Sequence, residues 1–173
     1  MEELKRVIRS IPDFPKPGIL FYDITTLLGN AEAFHQVIDI FAQRYEKDKP
    51  AAVVAIDARG FIFGAALAYR LGVGFVPVRK KGKLPWETVS ASYQLEYGVD
   101  EVHMHKDAIA PGQRVVIVDD LLATGGTAAA TVDLVRQLGG EVMECGFVIE
   151  LDFLQGREKL KPLPVFSILH YQE

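Results

Sequence analysis

The sequence predicts an α/β fold: a central, mostly parallel sheet flanked by helices, with an antiparallel hairpin and a flexible hood loop attached. Three observations carry this expectation. Short apolar runs rich in β-branched residues recur at Ala51–Ile56, Gly74–Val78, Arg114–Val118 and Val142–Ile149. Runs of this kind are strands buried on both faces, the habit of parallel sheets. Helically spaced segments, Phe61–Leu71 and Thr127–Leu138, lie between them and end at Gly72 and Gly139, which supplies the crossovers that parallel pairing requires. A different period marks the third observation. Tyr93, Leu95 and Tyr97 alternate with Ser92, Gln94 and Glu96, and after Gly98, Val102 and Met104 alternate with Glu101, His103 and His105. A period of two on either side of a glycine reads as a hairpin.

The remaining elements follow in chain order. Glu2–Ile11 is apolar at Leu4, Val7, Ile8 and Ile11, a helical spacing that Pro12 is expected to stop. Pro12, Pro15, Pro17 and Gly18 then form a stiff loop into Ile19–Phe21. Asn30 is placed to cap a helix reaching about Tyr45, with Phe34, Val37, Ile38, Phe41 and Tyr45 on one face. Lys80–Glu87 is charged, carries Gly82 and Pro85 and lacks periodicity, so a mobile loop is expected there. Val165–Leu169 is a candidate final strand. With 173 residues, 49% of them hydrophobic, the chain has the material for one well-buried domain over 1–173.

Composition excludes several classes of function. Nineteen basic residues stand against 23 acidic ones, a formal charge of −4, which argues against a surface that grips nucleic acid or an anionic membrane as a whole. Cys145 is the one cysteine. It sits in an apolar run and reads as a small buried hydrophobe, with no disulfide framework and no thiol pair for zinc. His35, His103, His105 and His170 show no metal-ligand spacing. No signal peptide is visible, and no run approaches the roughly 18 apolar residues of a membrane span. A cytoplasmic location is expected.

Chemistry is concentrated in Val115-Val116-Ile117-Val118-Asp119-Asp120-Leu121-Leu122-Ala123-Thr124-Gly125-Gly126-Thr127. An apolar strand delivers two adjacent carboxylates to its C-terminal end, where ligands bind in open α/β sheets. A loop of small residues and a helix start follow. Ala123 to Gly126 let backbone N–H groups approach an anion, Thr124 and Thr127 add hydroxyls, and the helix start adds positive dipole. The loop is suited to a terminal phosphate. Like charge keeps the aspartates from that role; they suit the neighbouring hydroxyls of a ribose, or a magnesium ion. The plainer reading is a strand–turn–helix with capping Asp and Thr. Neither common nucleotide fingerprint is present, since no G-x-G-x-x-G follows a strand and no Gly-Lys-Ser/Thr occurs.

Two further segments suit the same ligand. Arg79-Lys80-Lys81-Gly82-Lys83 packs four cations into five residues. Such a run is ordinarily a solvated face, but here it follows a buried strand and enters a Gly- and Pro-containing loop, as a phosphate-clamping lid would. Asp57-Ala58-Arg59-Gly60 lies between a strand and a helix, where its backbone N–H groups are placed to meet an anion. The plainer readings are a surface helix-capping residue for Arg59 and an exposed strand residue for Glu96, which the residues alone favour for Glu96 but not for Arg59.

The segment at Val115–Thr127 resembles the 5-phosphoribosyl pyrophosphate (PRPP) motif of type I phosphoribosyltransferases. The resemblance extends over nearly the whole chain. Phe14–Phe21, Asp57–Phe61, Arg79–Pro85, Ser92–Gly98 and Gly156–Leu160 are all similar to the adenine phosphoribosyltransferase family. It implies transfer of the phosphoribosyl group of PRPP to adenine, giving AMP and pyrophosphate, with magnesium carried by PRPP and no direct metal ligand in the protein. It implies that Asp119 and Asp120 act catalytically and, with Ala123, Thr124, Gly125, Gly126 and Thr127, hold ribose and phosphate. Asp57, Ala58, Arg59, Arg79, Lys80 and Lys83 would contact pyrophosphate, across a non-proline cis peptide at Asp57–Ala58. Leu20, Phe21 and Tyr22 would bind adenine from a segment of about 12–28. Glu96, on a lid and hairpin of about 79–105, would serve as acid or base. A homodimer is implied, with adenine and PRPP as small-molecule partners and neither nucleic acid nor membrane. Two residues depart from the pattern: Ala58 where serine is frequent, and Tyr22 where a basic residue is frequent. Another purine phosphoribosyltransferase, or a non-catalytic PRPP-binding regulator, is the alternative.

Overall fold

A computed structural model describes all residues, Met1–Glu173. In chain order the elements are α1 (Glu2–Val7), β1 (Arg9–Pro12), β2 (Leu20–Asp23), α2 (Thr25–Leu28), α3 (Ala31–Tyr45), β3 (Ala52–Ile56), α4 (Arg59–Leu71), β4 (Gly74–Lys80), β5 (Thr88–Leu95), β6 (Gly98–His105), β7 (Arg114–Leu122), α5 (Gly126–Gln137), β8 (Glu141–Leu151) and β9 (Val165–Tyr171). Two 3₁₀ turns, Asp152–Leu154 and Gly156–Leu160, join β8 to β9. The main sheet has seven strands in the order β5-β6-β4-β3-β7-β8-β9. β4, β3, β7, β8 and β9 run parallel, while the β5–β6 hairpin joins antiparallel at the end of β4.

Alternation along the central strands builds a core on each face of the sheet. Val53, Val116 and Val118 pack with Phe41 of α3 and with Phe63 and Leu67 of α4. Their sequence neighbours Val54, Val115 and Ile117 pack on the other face with Leu134 and Val135 of α5. Phe63, Leu67 and Leu71 recur at a spacing of four, which turns one stripe of α4 to the sheet. Asn30 caps α3 as its position suggests, its side chain accepting from the Ala33 N–H at 3.0 Å.

The topology creates a crevice. From β3 the chain crosses through α4 to β4 on one side; from β7 it crosses through α5 to β8 on the other. β3 and β7 are parallel neighbours at this reversal, and ligands of open α/β sheets bind beyond the strand C-termini at such a point.

The ends of several elements differ from the sequence expectation: β4, β8 and β9 run about two residues past theirs, and four other differences bear on the site. The first helix stops at Val7 rather than Ile11, because Arg9–Pro12 pairs antiparallel with Leu20–Asp23. Arg9 stands opposite Asp23 and its Nε donates to the carboxylate at 3.0 Å, a cross-strand ion pair that favours the strand. Pro12 is therefore the end of an edge strand, which needs no N–H donor on its open side. β7 runs past Val118 to Leu122 and carries both aspartates within it. α4 begins at Arg59, two residues early. The hairpin turns at Glu96-Tyr97, where Leu95 pairs with Gly98, so Glu96 lies on the turn rather than on a strand. Gly98 takes φ +112°, a left-handed value that tolerates this tight reversal.

Candidate active site

A cavity of about 270 Å³ opens at the crevice between β3 and β7. Asp57, Ala58 and Arg59 line it from the β3–α4 junction, Arg79 and Lys80 from the end of β4, and Asp119, Asp120 and Thr127 from β7 and the start of α5. Tyr93 and Val102 of the hairpin close one side. Four separate stretches of sequence thus deliver acidic, basic and hydroxyl groups to one enclosure.

The two carboxylates are held differently. Arg59 Nε donates to Asp120 Oδ2 at 2.5 Å, and Asp120 is buried. Asp119 Oδ1 accepts the Asp120 backbone N–H at 2.9 Å. Burial and the adjacent negative charge of Asp120 push the Asp119 carboxyl well above its ordinary range, against the pull of Arg59. Burial alone would push Arg59 down, but the charges of Asp120, Asp119 and Asp23 outweigh it and hold Arg59 above its ordinary value. Gly60 is the floor beneath Asp119: a Cβ there would come within 2.5 Å of Asp119 Oδ1.

Beyond the carboxylates, a second hollow of about 90 Å³ is lined by Asp119 and by every residue from Leu121 to Ala128. It shares Asp119 and Thr127 with the first as lining residues. Gly125 is the residue before α5 and takes φ +85°, and no side chain caps the helix. The N–H groups of the first turn have no intrahelical acceptors and stand open to an anion, reinforced by the helix dipole. The hollow therefore offers backbone donors and the Thr124 and Thr127 hydroxyls beside a carboxylate pair.

Across the cavity each cation has an acidic partner. Arg79 Nε donates to Asp57 Oδ2 at 2.8 Å and its Nη1 to the Lys83 carbonyl at 3.2 Å. Lys80 Nζ pairs with Asp100 and donates to the Tyr93 hydroxyl at 2.8 Å. The Lys83 side chain is exposed and lines none of this cavity. The Asp57–Ala58 peptide is cis, as the resemblance implies.

Besides Lys83, four predicted residues are not brought into this enclosure. Glu96 is exposed on the hairpin turn. Leu20 and Phe21 lie on the small β1–β2 sheet, with Phe21 edge-on to Phe14 at 5.1 Å. The Tyr22 ring lies 3.9 Å from that of Tyr171, and its hydroxyl donates to the Glu173 carbonyl at 2.7 Å. The end of β2 still approaches the site, since the Asp23 charge is felt at Arg59. Sequence reasoning in turn missed Gly60, Tyr93, Asp100 and Gly156. Tyr93 faces Gly126, where an added Cβ would sit 3.6 Å from its ring. The hairpin alternation only put Tyr93 on one face with Leu95 and Tyr97; nothing in one sequence pairs Gly60 with Asp119.

Comparison with known proteins agrees with this layout. Residues 23–168 match the family model described as a phosphoribosyl transferase domain. The chain is 62% identical over 172 residues to an adenine phosphoribosyltransferase of Acidobacterium capsulatum, covering 99% of this chain and 95% of that protein. Among solved structures, adenine phosphoribosyltransferase from Thermoanaerobacter pseudethanolicus superposes with a TM-score of 0.95 at 57% identity, covering 98% of this chain and 99% of that one. The Saccharomyces cerevisiae enzyme, complexed with an imino-altritol bisphosphate and adenine, superposes with a TM-score of 0.93 at 48% identity, covering 97% of each chain.

Proposed function

The chain belongs to the adenine phosphoribosyltransferase family, and from that premise we propose that it transfers the 5-phosphoribosyl group of PRPP to adenine, giving AMP and pyrophosphate. One observation carries the reading to these residues. An uncapped helix start, a carboxylate pair and a basic wall share one crevice at the switch point of the sheet. A sugar bearing a phosphate at one end and a pyrophosphate at the other matches that order of groups.

The reaction forms a bond from the base nitrogen to the anomeric carbon and breaks the bond from that carbon to a pyrophosphate oxygen. Its transition state has oxocarbenium character, so positive charge develops on the ribose while negative charge develops on the leaving group. Residues Ala123–Thr127 hold the 5-phosphate through backbone N–H groups and hydroxyls. Asp119 and Asp120 accept from the ribose hydroxyls and place negative charge beside the developing cation. Arg59, Arg79 and Lys80, with the backbone of Asp57–Ala58, bind the pyrophosphate, which competes with Asp120, Asp57 and Asp100 for these cations. Lys83 joins them when the segment after β4 folds over the ligand. Magnesium would come carried by PRPP, as the family resemblance implies, and would offset the charge of the leaving pyrophosphate.

Adenine lies against the Leu20–Tyr22 segment, and Glu96 handles the base proton once the hairpin tip closes over the site. Both assignments rest on the family resemblance and require movement of the hairpin tip. A homodimer is proposed on the same ground, supported by the exposed apolar Ile62 and Tyr69 on the outer side of α4. A cytoplasmic setting fits a lone buried thiol, and no helix is long and apolar enough to cross a membrane. Incubation with PRPP, magnesium and labelled adenine tests the function: labelled AMP and stoichiometric pyrophosphate are expected, and their absence with active PRPP would overturn it.

A further inference from the structure

The 3₁₀ turn Gly156–Leu160 lies directly behind the phosphate loop, and the two backbones interlock. A Cβ on Gly156 would run into the Ala123 carbonyl oxygen and come within 3.1 Å of Gly125 N. A Cβ on Gly125 would run into the Gly156 carbonyl and come within 3.2 Å of its Cα. The loop that presents N–H groups to the phosphate therefore has a second layer of backbone as its backing. That backing is held by the neighbouring side chain. Arg157 Nε donates to Glu150 Oε1 at 2.7 Å and Nη2 to Glu150 Oε2 at 2.5 Å, a two-pronged ion pair. Ser167 of β9 donates to the same Oε2 at 2.6 Å.

Glu150 is only 2% exposed, and it stands opposite Leu122, the residue before the loop, in the β7–β8 ladder. The pair thus ties the backing turn to β8, the strand paired with β7, from which the loop departs. A fork-to-fork pair fixes direction as well as distance, and breaking it would leave a buried carboxylate without its cation. Glu150, Asp152 and His170 also bring ligand-type atoms within 4.8 Å of one another, but both oxygens of Glu150 are already taken, so the cluster is not free to hold a metal.

We propose that Glu150 and Arg157 are positioning residues for the phosphate loop: through Gly156 they set the backbone of Ala123–Gly125 that receives the 5-phosphate, without touching substrate themselves. This rests on the phosphate role assigned above to that loop.

The experiment measures KM for PRPP, KM for adenine, kcat, melting temperature and calorimetric affinity for ribose 5-phosphate, in wild type, Glu150→Gln, Arg157→Gln and Arg157→Lys. Loss of the pair should weaken ribose 5-phosphate binding and raise KM for PRPP by about tenfold, while KM for adenine stays within about twofold. Arg157→Lys keeps charge but not the fork, and should fall between at about threefold. A lowered melting temperature with unchanged ribose 5-phosphate affinity and an unchanged KM for PRPP would make the pair merely structural and overturn the proposal. If the glutamine variants do not accumulate folded, Arg157→Lys decides alone by the same two readouts. Wild type that binds ribose 5-phosphate yet consumes no adenine would sink the proposed reaction, with the clamp still judged by the variant affinities. Wild type that binds no ribose 5-phosphate would overturn the clamp.

Discussion

Gly60→Ala should separate activity from stability. The new Cβ would lie 2.5 Å from Asp119 Oδ1, 3.3 Å from its Cγ and 3.4 Å from its Cα. Ordinary contact begins near 3.4 Å, so about 0.9 Å must be found between the methyl group and the carboxylate oxygen. Asp119 Cα belongs to β7, a central strand of the sheet, so it is the carboxylate that yields. A displacement of about 1 Å in a positioning group costs on the order of 10²-fold in rate, or about 2.7 kcal/mol of barrier. The fold is affected less. Overpacking costs roughly 1–3 kcal/mol, offset in part by the ~0.5–1 kcal/mol that alanine gains over glycine within a helix. Steady-state kinetics with PRPP varied, alongside calorimetric melting, reads both terms. The expected result is a kcat/KM for PRPP lower by about 10²-fold with a melting temperature lower by only a few degrees. A kcat/KM within about twofold of wild type would refute the placement of Asp119 against the ribose.

Four further outcomes follow from the same geometry. Asp119→Asn and Asp120→Asn should each lower kcat/KM for PRPP by roughly 10²-fold, as removal of a preorganised polar contact does; near-normal kinetics in both would remove the ribose assignment. Because the native Asp119 carboxyl titrates above its ordinary value of 3.8, the folded state binds a proton more tightly than the unfolded chain, and that share of stability is lost as pH rises from near that value through the native one. Denaturant melts from pH 4 upward should show this decline in wild type and not in Asp119→Asn, and parallel profiles would contradict it. Glu96→Gln should slow single-turnover chemistry more than it weakens PRPP binding; an unchanged single-turnover rate takes Glu96 out of proton transfer. Burial pushes the Cys145 thiol up to about 12, so an aromatic disulfide reagent should label it only on unfolding, and labelling of the native protein within minutes would show that this strand opens.

The parts of the fold legible in the sequence are those whose residues answer to one local period. β3, α4 and α5 show their burial as continuous or helically spaced apolar runs, and the loop before α5 stands out because small residues, hydroxyls and a strand end are contiguous. Elements set by distant partners were not legible. Ile11 continues the helical spacing of Leu4, Val7 and Ile8, yet pairing with Leu20–Asp23 and the Arg9–Asp23 contact draw Arg9–Pro12 into a strand. The hairpin alternation runs smoothly through Glu96, but the register with Gly98 places the turn there. In the site, the net charge of −4 concealed cations and carboxylates that look segregated along the chain; the fold interleaves them as Arg59–Asp120, Arg79–Asp57 and Lys80–Asp100. Gly60 and Gly156 were silent for the same reason: each matters through a backbone approach to a residue far away in sequence.

The central claim is that this crevice joins PRPP to adenine in particular. A panel of adenine, hypoxanthine, guanine and uracil, each assayed with PRPP and magnesium for nucleotide and pyrophosphate, tests it most directly. AMP is expected from adenine with a kcat/KM exceeding that of every other base by at least about 10²-fold, the discrimination that hydrogen-bonded base readout supplies. Comparable or greater turnover of hypoxanthine or guanine, or pyrophosphate release with no base consumed, would contradict it.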